Sequence, residues 1–344
     1  MRLALICGNR YASPVEKILA LQLKRIGDVI LTLPALAALR GSRPQAEVSV
    51  VLVDGCGALV PLLPEGVRPL LYRRGKLNAS LWRELALSRY SACYDFTGND
   101  RSTLMARLSG AEEKVSFRKA IDKRAARRRV FNRVCEASVR DHHTIDYHLA
   151  LVGAEGGVPS FRPEIPAETR QQIDQLLAGA GVTEGFVVIH PGTARDEKYW
   201  PADRWAEVID HLAGDRGLQV LVTGSPDARE QSHLAAVKSA TGAPLIDLSG
   251  KSDLVGLTEL LRRARLVLGV DSAAMHLAAL SETPEIALFG PTNPFHWRPL
   301  HSRAQILLAG HGAPVESFDS RHQAAAMDTL STESVIRAIG MALD

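Results

Sequence analysis

Cysteine is scarce in this chain and is never paired at short spacing. Of 344 residues only Cys7, Cys56, Cys93 and Cys135 are thiols, and no CxxC occurs. That argues against a disulfide framework and a zinc site and fits a reducing compartment. No apolar run approaches the roughly 18–20 residues of a membrane span. The opening Met-Arg-Leu-Ala-Leu-Ile-Cys-Gly is too short an apolar stretch for a secretory signal. The expectation is a cytoplasmic protein still able to touch a membrane surface. No charge sign dominates: Lys+Arg 41 against Asp+Glu 38 gives no reason to expect nucleic acid as a partner. There is no D-x-D, so a nucleotide diphosphate held through a metal in that style lacks its usual ligands. Two nucleotide motifs fail on inspection. Gly250-Lys251-Ser252 ends like a Walker A, but Leu245 stands where its first Gly belongs. Asp54-Gly-Cys-Gly-Ala-Leu-Val60 follows a strand pattern, but Val60 replaces the third small residue of a dinucleotide fingerprint.

What the chain does have is strand–helix alternation, twice over. Ile18–Leu23, Val48–Val53 and Tyr90–Phe96 read as strands, with helices over Val29–Arg40 and Arg101–Leu108. Pro34 is tolerable only early in such a helix. Pro and Gly then gather around one amphipathic helix, Ala167–Leu177, between Gly153 and Glu184. Beyond it, short apolar strands at Phe186–His190, Gln219–Thr223, Leu245–Leu248, Leu266–Val270 and Ile286–Phe289 alternate with helices at Ala202–Leu212, Ala228–Ala240, Leu254–Ala264 and Ala274–Leu280. The pattern predicts an α/β protein of two doubly wound units, 15–165 and 184–325, preceded by an extension (1–16). A C-terminal helix within 331–344 is expected to pack back towards the first unit. Ligands of open α/β sheets bind at the carboxyl ends of the strands, so two such units imply a cleft between them.

Chemistry-bearing residues fall at those strand ends. Lys24-Arg-Ile-Gly-Asp28 ends a strand in a tight turn; Asp28 reads either as an N-cap or as a carboxylate placed to take a proton. His190-Pro-Gly-Thr193-Ala-Arg-Asp-Glu-Lys198-Tyr-Trp200 offers a hydroxyl and cations for phosphate oxygens, or is a solvated loop whose Trp200 and Trp205 pack a helix. In Val267-Leu-Gly-Val-Asp271-Ser272-Ala273-Ala-Met-His276 a buried strand delivers a carboxylate and a hydroxyl to a helix start, a natural anion site. Here too Asp271 reads alternatively as a plain cap and His276 as a core histidine. Phe289-Gly-Pro-Thr292-Asn-Pro-Phe-His-Trp297-Arg298-Pro is too rich in special residues for a simple connection, and Arg298 reads as a structural ion pair. Seven cations between Lys119 and Arg133 form a solvated helix face or a surface for anionic lipid or an acidic acceptor. Asp141-His-His143-Thr-Ile-Asp-Tyr-His148 matches no standard metal spacing; helix capping or acceptor contact fits it better.

Four of these motifs, in this order, resemble the bacterial heptosyltransferases of glycosyltransferase family 9: Leu23-Lys-Arg-Ile-Gly-Asp28-Val-Ile-Leu-Thr-Leu-Pro, the His190–Trp200 loop, Gly269-Val-Asp-Ser-Ala-Ala-Met-His-Leu-Ala-Ala, and Leu288-Phe-Gly-Pro-Thr-Asn-Pro. The resemblance runs from about Lys17 to the C-terminal helix. It implies a GT-B fold and inverting transfer of heptose from ADP-heptose to the inner core of lipopolysaccharide, with no metal and no cofactor. That places the enzyme in the cytoplasm, peripheral on the inner membrane. Asp28 matches the family's general base, and Thr193 and Lys198 its diphosphate loop. Asp271 matches the contact to the donor sugar, with Ser272, Ala273 and His276 beside it. Gly250-Lys251-Ser252-Asp-Leu254 falls where the family cradles adenine, and Glu230 where it reaches the ribose. Arg25 and His143 are candidates for acceptor contact. Ala273 departs from the Gly of most members. With Trp297-Arg298-Pro299, it resembles the branch that adds a branching third heptose.

Overall fold

The structure, a computed structural model, describes residues 15–154, 161–321 and 324–344. Most of the expected leading extension therefore lies outside the described residues. The first sheet comprises β1 (Lys17–Gln22), β2 (Glu47–Val53), β3 (Val67–Tyr72), β4 (Ala92–Asp95), β5 (Glu113–Phe117) and β6 (Arg133–Cys135), in the order β3-β2-β1-β4-β5-β6. The second comprises β7 (Val187–His190), β8 (Val220–Val222), β9 (Ile246–Asp247), β10 (Leu266–Val270), β11 (Glu285–Phe289) and β12 (Ala304–Leu308), in the order β12-β11-β10-β7-β8-β9. Every pairing is parallel. Helices cover both faces, so the central strands read as unbroken apolar runs: β10 is buried throughout and β1 at all but its first residue.

In each sheet the strand order reverses once, at β1/β4 and at β7/β10. Such switch points open a crevice at the carboxyl ends. The residues singled out from sequence follow those strands: Lys24–Asp28 after β1, His190–Lys198 after β7 and Asp271–His276 after β10. Gly269 lets β10 take its place. A Cβ there would stand 2.6 Å from Met275 Sδ and 2.9 Å from the His190 carbonyl oxygen.

The structure departs from the expected elements in physically legible ways. The helix expected over Val29–Arg40 is two helices, Ile26–Ile30 and Leu33–Ser42, because Pro34 has no N–H to give to the preceding turn. The chain instead breaks at Leu31–Thr32, where Thr32 Oγ1 donates to the Asp28 carbonyl at 2.7 Å. Four strands absent from the sequence reading are β3, β5, β6 and β12. Three of these lie at sheet edges; β3 contains Arg68 and Pro69 and is only partly buried, and β6 is three residues long. The C-terminal helix Thr332–Leu343 does not return to the first unit. Its apolar face, Val335, Ala338 and Ile339, joins the core around Trp200 and Trp205 in the second unit. Arg216 holds Asp344 at 2.6 Å, and Arg265 donates to the Leu343 carbonyl at 3.0 Å. Both tryptophans are fully buried and edge-to-face at 5.0 Å, so on the loop after β7 the packing role expected of them holds.

Candidate functional site: a cleft between two switch points

The helix Ile26–Ile30 packs against Ala273–Ala279, and Leu254–Arg263 packs against the 3-10 turn Asp54–Leu62. Between them lies a cleft of about 990 Å³ lined from both units. That volume suits a ligand of nucleotide-sugar size.

On the first unit, the N-cap of the helix Ile26–Ile30 is Arg25, whose side chain makes no capping bond. Asp28 lies two residues inside that helix, so it is not an N-cap. Its carboxylate, 30% exposed, opens to the cleft with Lys24 Nζ at 3.8 Å. The backbone beneath it is pinned. Gln22 Nε2 donates to Thr32 Oγ1 at 2.7 Å, and His148 Nδ1 lies 3.1 Å from the same oxygen and 3.3 Å from the Leu31 carbonyl. Arg25 lines the cleft beside Asp28 and is exposed. Cys56 also lines it; burial pushes its thiol up to about 11, with the Asp28 charge adding, so it stays protonated.

On the second unit, Lys198 Nζ donates to Asp271 Oδ2 at 2.6 Å, and Thr292 Oγ1 donates to the same oxygen at 2.7 Å. The Lys198 and Asp271 side chains are only 13% and 8% exposed. A pair this dry has given up water on both sides, and removing one partner typically costs about 3–5 kcal/mol. Lys198, expected as a phosphate ligand, is thus held at the cleft wall by its acid partner. Thr193 is buried at the wall, and its carbonyl accepts from the Tyr199 hydroxyl at 2.9 Å. Glu230 Oε2 accepts from Ser225 N–H at 2.8 Å. It can lie there because residue 192 is glycine; a Cβ at that position would meet this oxygen at 2.4 Å.

Ser272, not Asp271, is the N-cap residue of Ala273–Ala279, and its Oγ is buried without a hydrogen-bond partner. Ala273 stands beside it in the cleft wall. His276 lies where the two units meet, and a Cβ on Gly27 would be 3.6 Å from its Cδ2. Its Nδ1 is buried without a partner. Burial holds the imidazole below its usual range, against the pull of Asp271 and Asp28. His190 Nδ1 meets Thr223 Oγ1 at 2.9 Å and is likewise held down by burial.

Two sequence candidates are displaced. Lys251 does not line the cleft, because the turn ends with its side chain in solvent; Ser252 and Asp253 line it instead. His143 is not at the cleft either. It caps the helix Thr144–Leu151 through Nδ1, which accepts from Ile145 N–H, and its Nε2 lies 2.9 Å from the Arg298 carbonyl. Both ring nitrogens are thereby occupied, and burial pushes the imidazole down to about 3. His148 is likewise internal, pushed down to about 3 by burial. Among the described residues no group of three His, Cys, Asp or Glu could hold a metal ion. Among the described residues Arg298 makes no ion pair; its guanidinium lies over the Phe318 ring at 4.2 Å and donates to the Phe295 carbonyl at 2.8 Å. Arg74, Asp54 and Arg229 also line the cleft. Sequence reasoning did not find them. Arg74 follows the unrecognised edge strand β3, and Asp54 lay in a motif discarded as a failed fingerprint.

The basic stretch Lys119–Arg133 is not one helix face. It forms two short helices, Arg118–Asp122 and Ala125–Arg128, and enters β6. Arg127 is buried, holding Asp100 at 2.8 Å and the Gly98 and Ala120 carbonyls at 2.8 Å each. Arg124, Arg128 and Arg133 pair with Asp100, Asp122 and Glu113.

The family model for glycosyltransferase family 9 (heptosyltransferase) matches residues 78–326. Lipopolysaccharide heptosyltransferase 3 of Escherichia coli is 27% identical over 310 residues, covering 86% of this chain and 89% of that protein. The solved glycosyltransferase family 9 protein of Veillonella parvula superposes with TM-score 0.82 at 22% identity, covering 95% of this chain and 97% of that one. E. coli heptosyltransferase WaaC with ADP superposes with TM-score 0.73 at 21% identity, covering 95% and 99%. The two facing parallel sheets are therefore a GT-B fold, and among the described residues no helix is long and apolar enough to cross a membrane. The chain belongs to glycosyltransferase family 9, the heptosyltransferases, and is a glycosyltransferase.

Proposed function

We propose that this chain transfers a heptose from ADP-heptose to the inner core of lipopolysaccharide, with inversion at the anomeric carbon. On this reading it works in the cytoplasm at the inner membrane. The unit 15–165 receives the acceptor and the unit 184–325 the donor. The observation that carries the reading is the juxtaposition of Asp28 at one switch point with the Lys198–Asp271–Thr292 cluster at the other, across one cleft.

On the acceptor side, Asp28 is the carboxylate that follows the switch-point strand, facing the Lys198–Asp271–Thr292 cluster, and it takes the proton from the acceptor hydroxyl. The acceptor oxygen attacks the anomeric carbon and passes its proton to Asp28 while the bond to the diphosphate breaks on the other face. Charge then accumulates on ADP. Lys198, the Thr193 and Ser272 hydroxyls and the first amides of Ala273–Ala279 are placed to receive it without reorganising solvent. Asp271 holds Lys198 in position and offers its carboxylate to the donor sugar. Glu230 and Ser252 lie where the ribose and adenine belong. Arg25 and Arg74 face the acceptor. The likeness to lipopolysaccharide heptosyltransferase 3 supports the branching-heptose reading, and Ala273 puts a Cβ in the cleft wall where a glycine would leave it open. None of these steps calls on a metal.

Thermal shift of the purified chain with ADP, UDP and GDP tests the donor. ADP should raise the midpoint most. A larger shift with UDP would contradict ADP-heptose as donor.

A further inference from the structure

Seven large apolar side chains are exposed among the described residues, and four of them lie on one side of the first unit. Leu77 is 90% exposed, Leu87 70%, Leu104 49% and Leu108 38%. They belong to two helices that pack side by side, Ala79–Leu87 and Asp100–Leu108, and to the loop leading into the first. On Asp100–Leu108 the inward positions are Ser102, Thr103, Met105 and Ala106. The outward stripe is therefore Arg101, Leu104, Arg107 and Leu108. A solvent-facing helix stripe ordinarily carries mixed polar residues; beyond Asp100 at its start, this one holds only arginine and leucine. The neighbouring helix repeats the pattern with Arg83 and Leu87 one turn apart. Half-buried Trp82 lies edge-on to Tyr72 at 6.2 Å, and Arg101 covers that Tyr72 ring at 5.1 Å, tying the two helix starts together.

The unpaired charge on this face has one sign. Arg73, Lys76, Arg83, Arg89, Arg101 and Arg107 are exposed and form no ion pair among the described residues. The two carboxylates that reach it are already taken, Glu84 by Arg68 and Asp100 by Arg127 and Arg124. A chain whose total charge is only +3 has thus gathered unpaired cations around its exposed leucines. Leucine and tryptophan set among arginines are the composition of a surface that enters the headgroup region of an anionic bilayer.

We propose that the outer layer formed by Leu77–Leu87 and Asp100–Leu108 is a docking surface for an anionic lipid membrane. It begins three residues beyond Arg74, which lines the cleft. A chain seated this way brings the Leu77 end of the surface, next to Arg74 of the cleft, to the bilayer that carries a lipid-borne acceptor. The segment Lys119–Arg133, in which Arg127 is buried and three other cations are paired, is not the docking surface.

Flotation of the full chain with vesicles tests this, using phosphatidylglycerol–phosphatidylethanolamine mixtures against pure phosphatidylcholine. The chain should float with the anionic vesicles alone and be released by high salt. The double variant Leu104→Ser/Leu108→Ser should lose about tenfold in vesicle affinity, as should Arg83→Glu/Arg107→Glu. Lys119→Glu/Lys123→Glu/Arg129→Glu should float like the parent. An unchanged ADP thermal shift in each variant shows that the fold and donor site are intact. Failure of the parent chain to float with anionic vesicles, or full flotation of the leucine variant, would overturn the proposal. Neither result depends on which sugar is transferred.

Discussion

Asp28 owes its position to residues that never touch substrate. Thr32 binds the Asp28 carbonyl, Gln22 binds Thr32, and His148 closes the set from another helix. A carboxylate held this way keeps its aim without a cap of its own. Asp28→Asn keeps the shape and removes the base. Transfer should fall by about two to four orders of magnitude, while the ADP-induced thermal shift is retained. Activity close to the parent's would refute the base assignment; a lost thermal shift would mean that Asp28 shapes the donor site instead. The strand-end residues Asp28, Thr193, Lys198, Asp271 and His276 were legible in the sequence because each follows a short apolar run at a turn. Arg74 was not, since Pro69 hid the strand before it. Lys251 and His143 misled for a common reason: sequence shows which residues stand near a strand end or cap, but not which way a side chain leaves the backbone.

At the scale of elements, the strands of the two sheets place the chemistry, and the most heavily buried were the most readable. β1, β2, β7, β10 and β11 announce themselves by apolar runs that helices must cover on both faces. The edge strands β3 and β6 carry charge or proline, so their sequences resemble loops, and β12 is short and only half buried. The split of Val29–Arg40 at Leu31–Thr32 is a local consequence of Pro34, yet it is what lets Thr32 brace Asp28. Close packing between β10 and the helix Ala273–Ala279 depends on Gly269. Gly269→Ala should displace Met275 or the His190 backbone and lower stability by about 1–3 kcal/mol, read as a lower urea midpoint at unchanged m. An unchanged midpoint would show that the strand–helix approach is looser than these distances imply.

Across the whole molecule the two units meet through buried polar groups as well as through the cleft. His143 ties the first unit to the Arg298 carbonyl of the second, and His148 underpins Asp28; burial pushes both imidazoles down to about 3. The unfolded chain takes up protons on these rings from about pH 6.5 downwards, and the native state refuses them until about pH 3. Their contribution is therefore fully present above pH 6.5 and lost as pH falls through that window. Asp95, held up to about 6 by burial, acts in the opposite sense at the acid end. Acidification from pH 7 to 5 should cost about 2 kcal/mol per histidine, and His148→Gln should remove one share of that slope. Equal pH slopes in parent and variant urea titrations would mean that His148 accepts its proton in the folded protein.

One cleft brings an ADP-bound heptose to a base on the opposite unit. Purified chain incubated with ADP-heptose and truncated inner-core acceptors, with products read by mass spectrometry, tests it most directly. One heptose should be added and ADP released, with no product from UDP- or GDP-sugars. Transfer from a UDP- or GDP-sugar, or no transfer to any inner-core acceptor by the folded, ADP-binding chain, would contradict it.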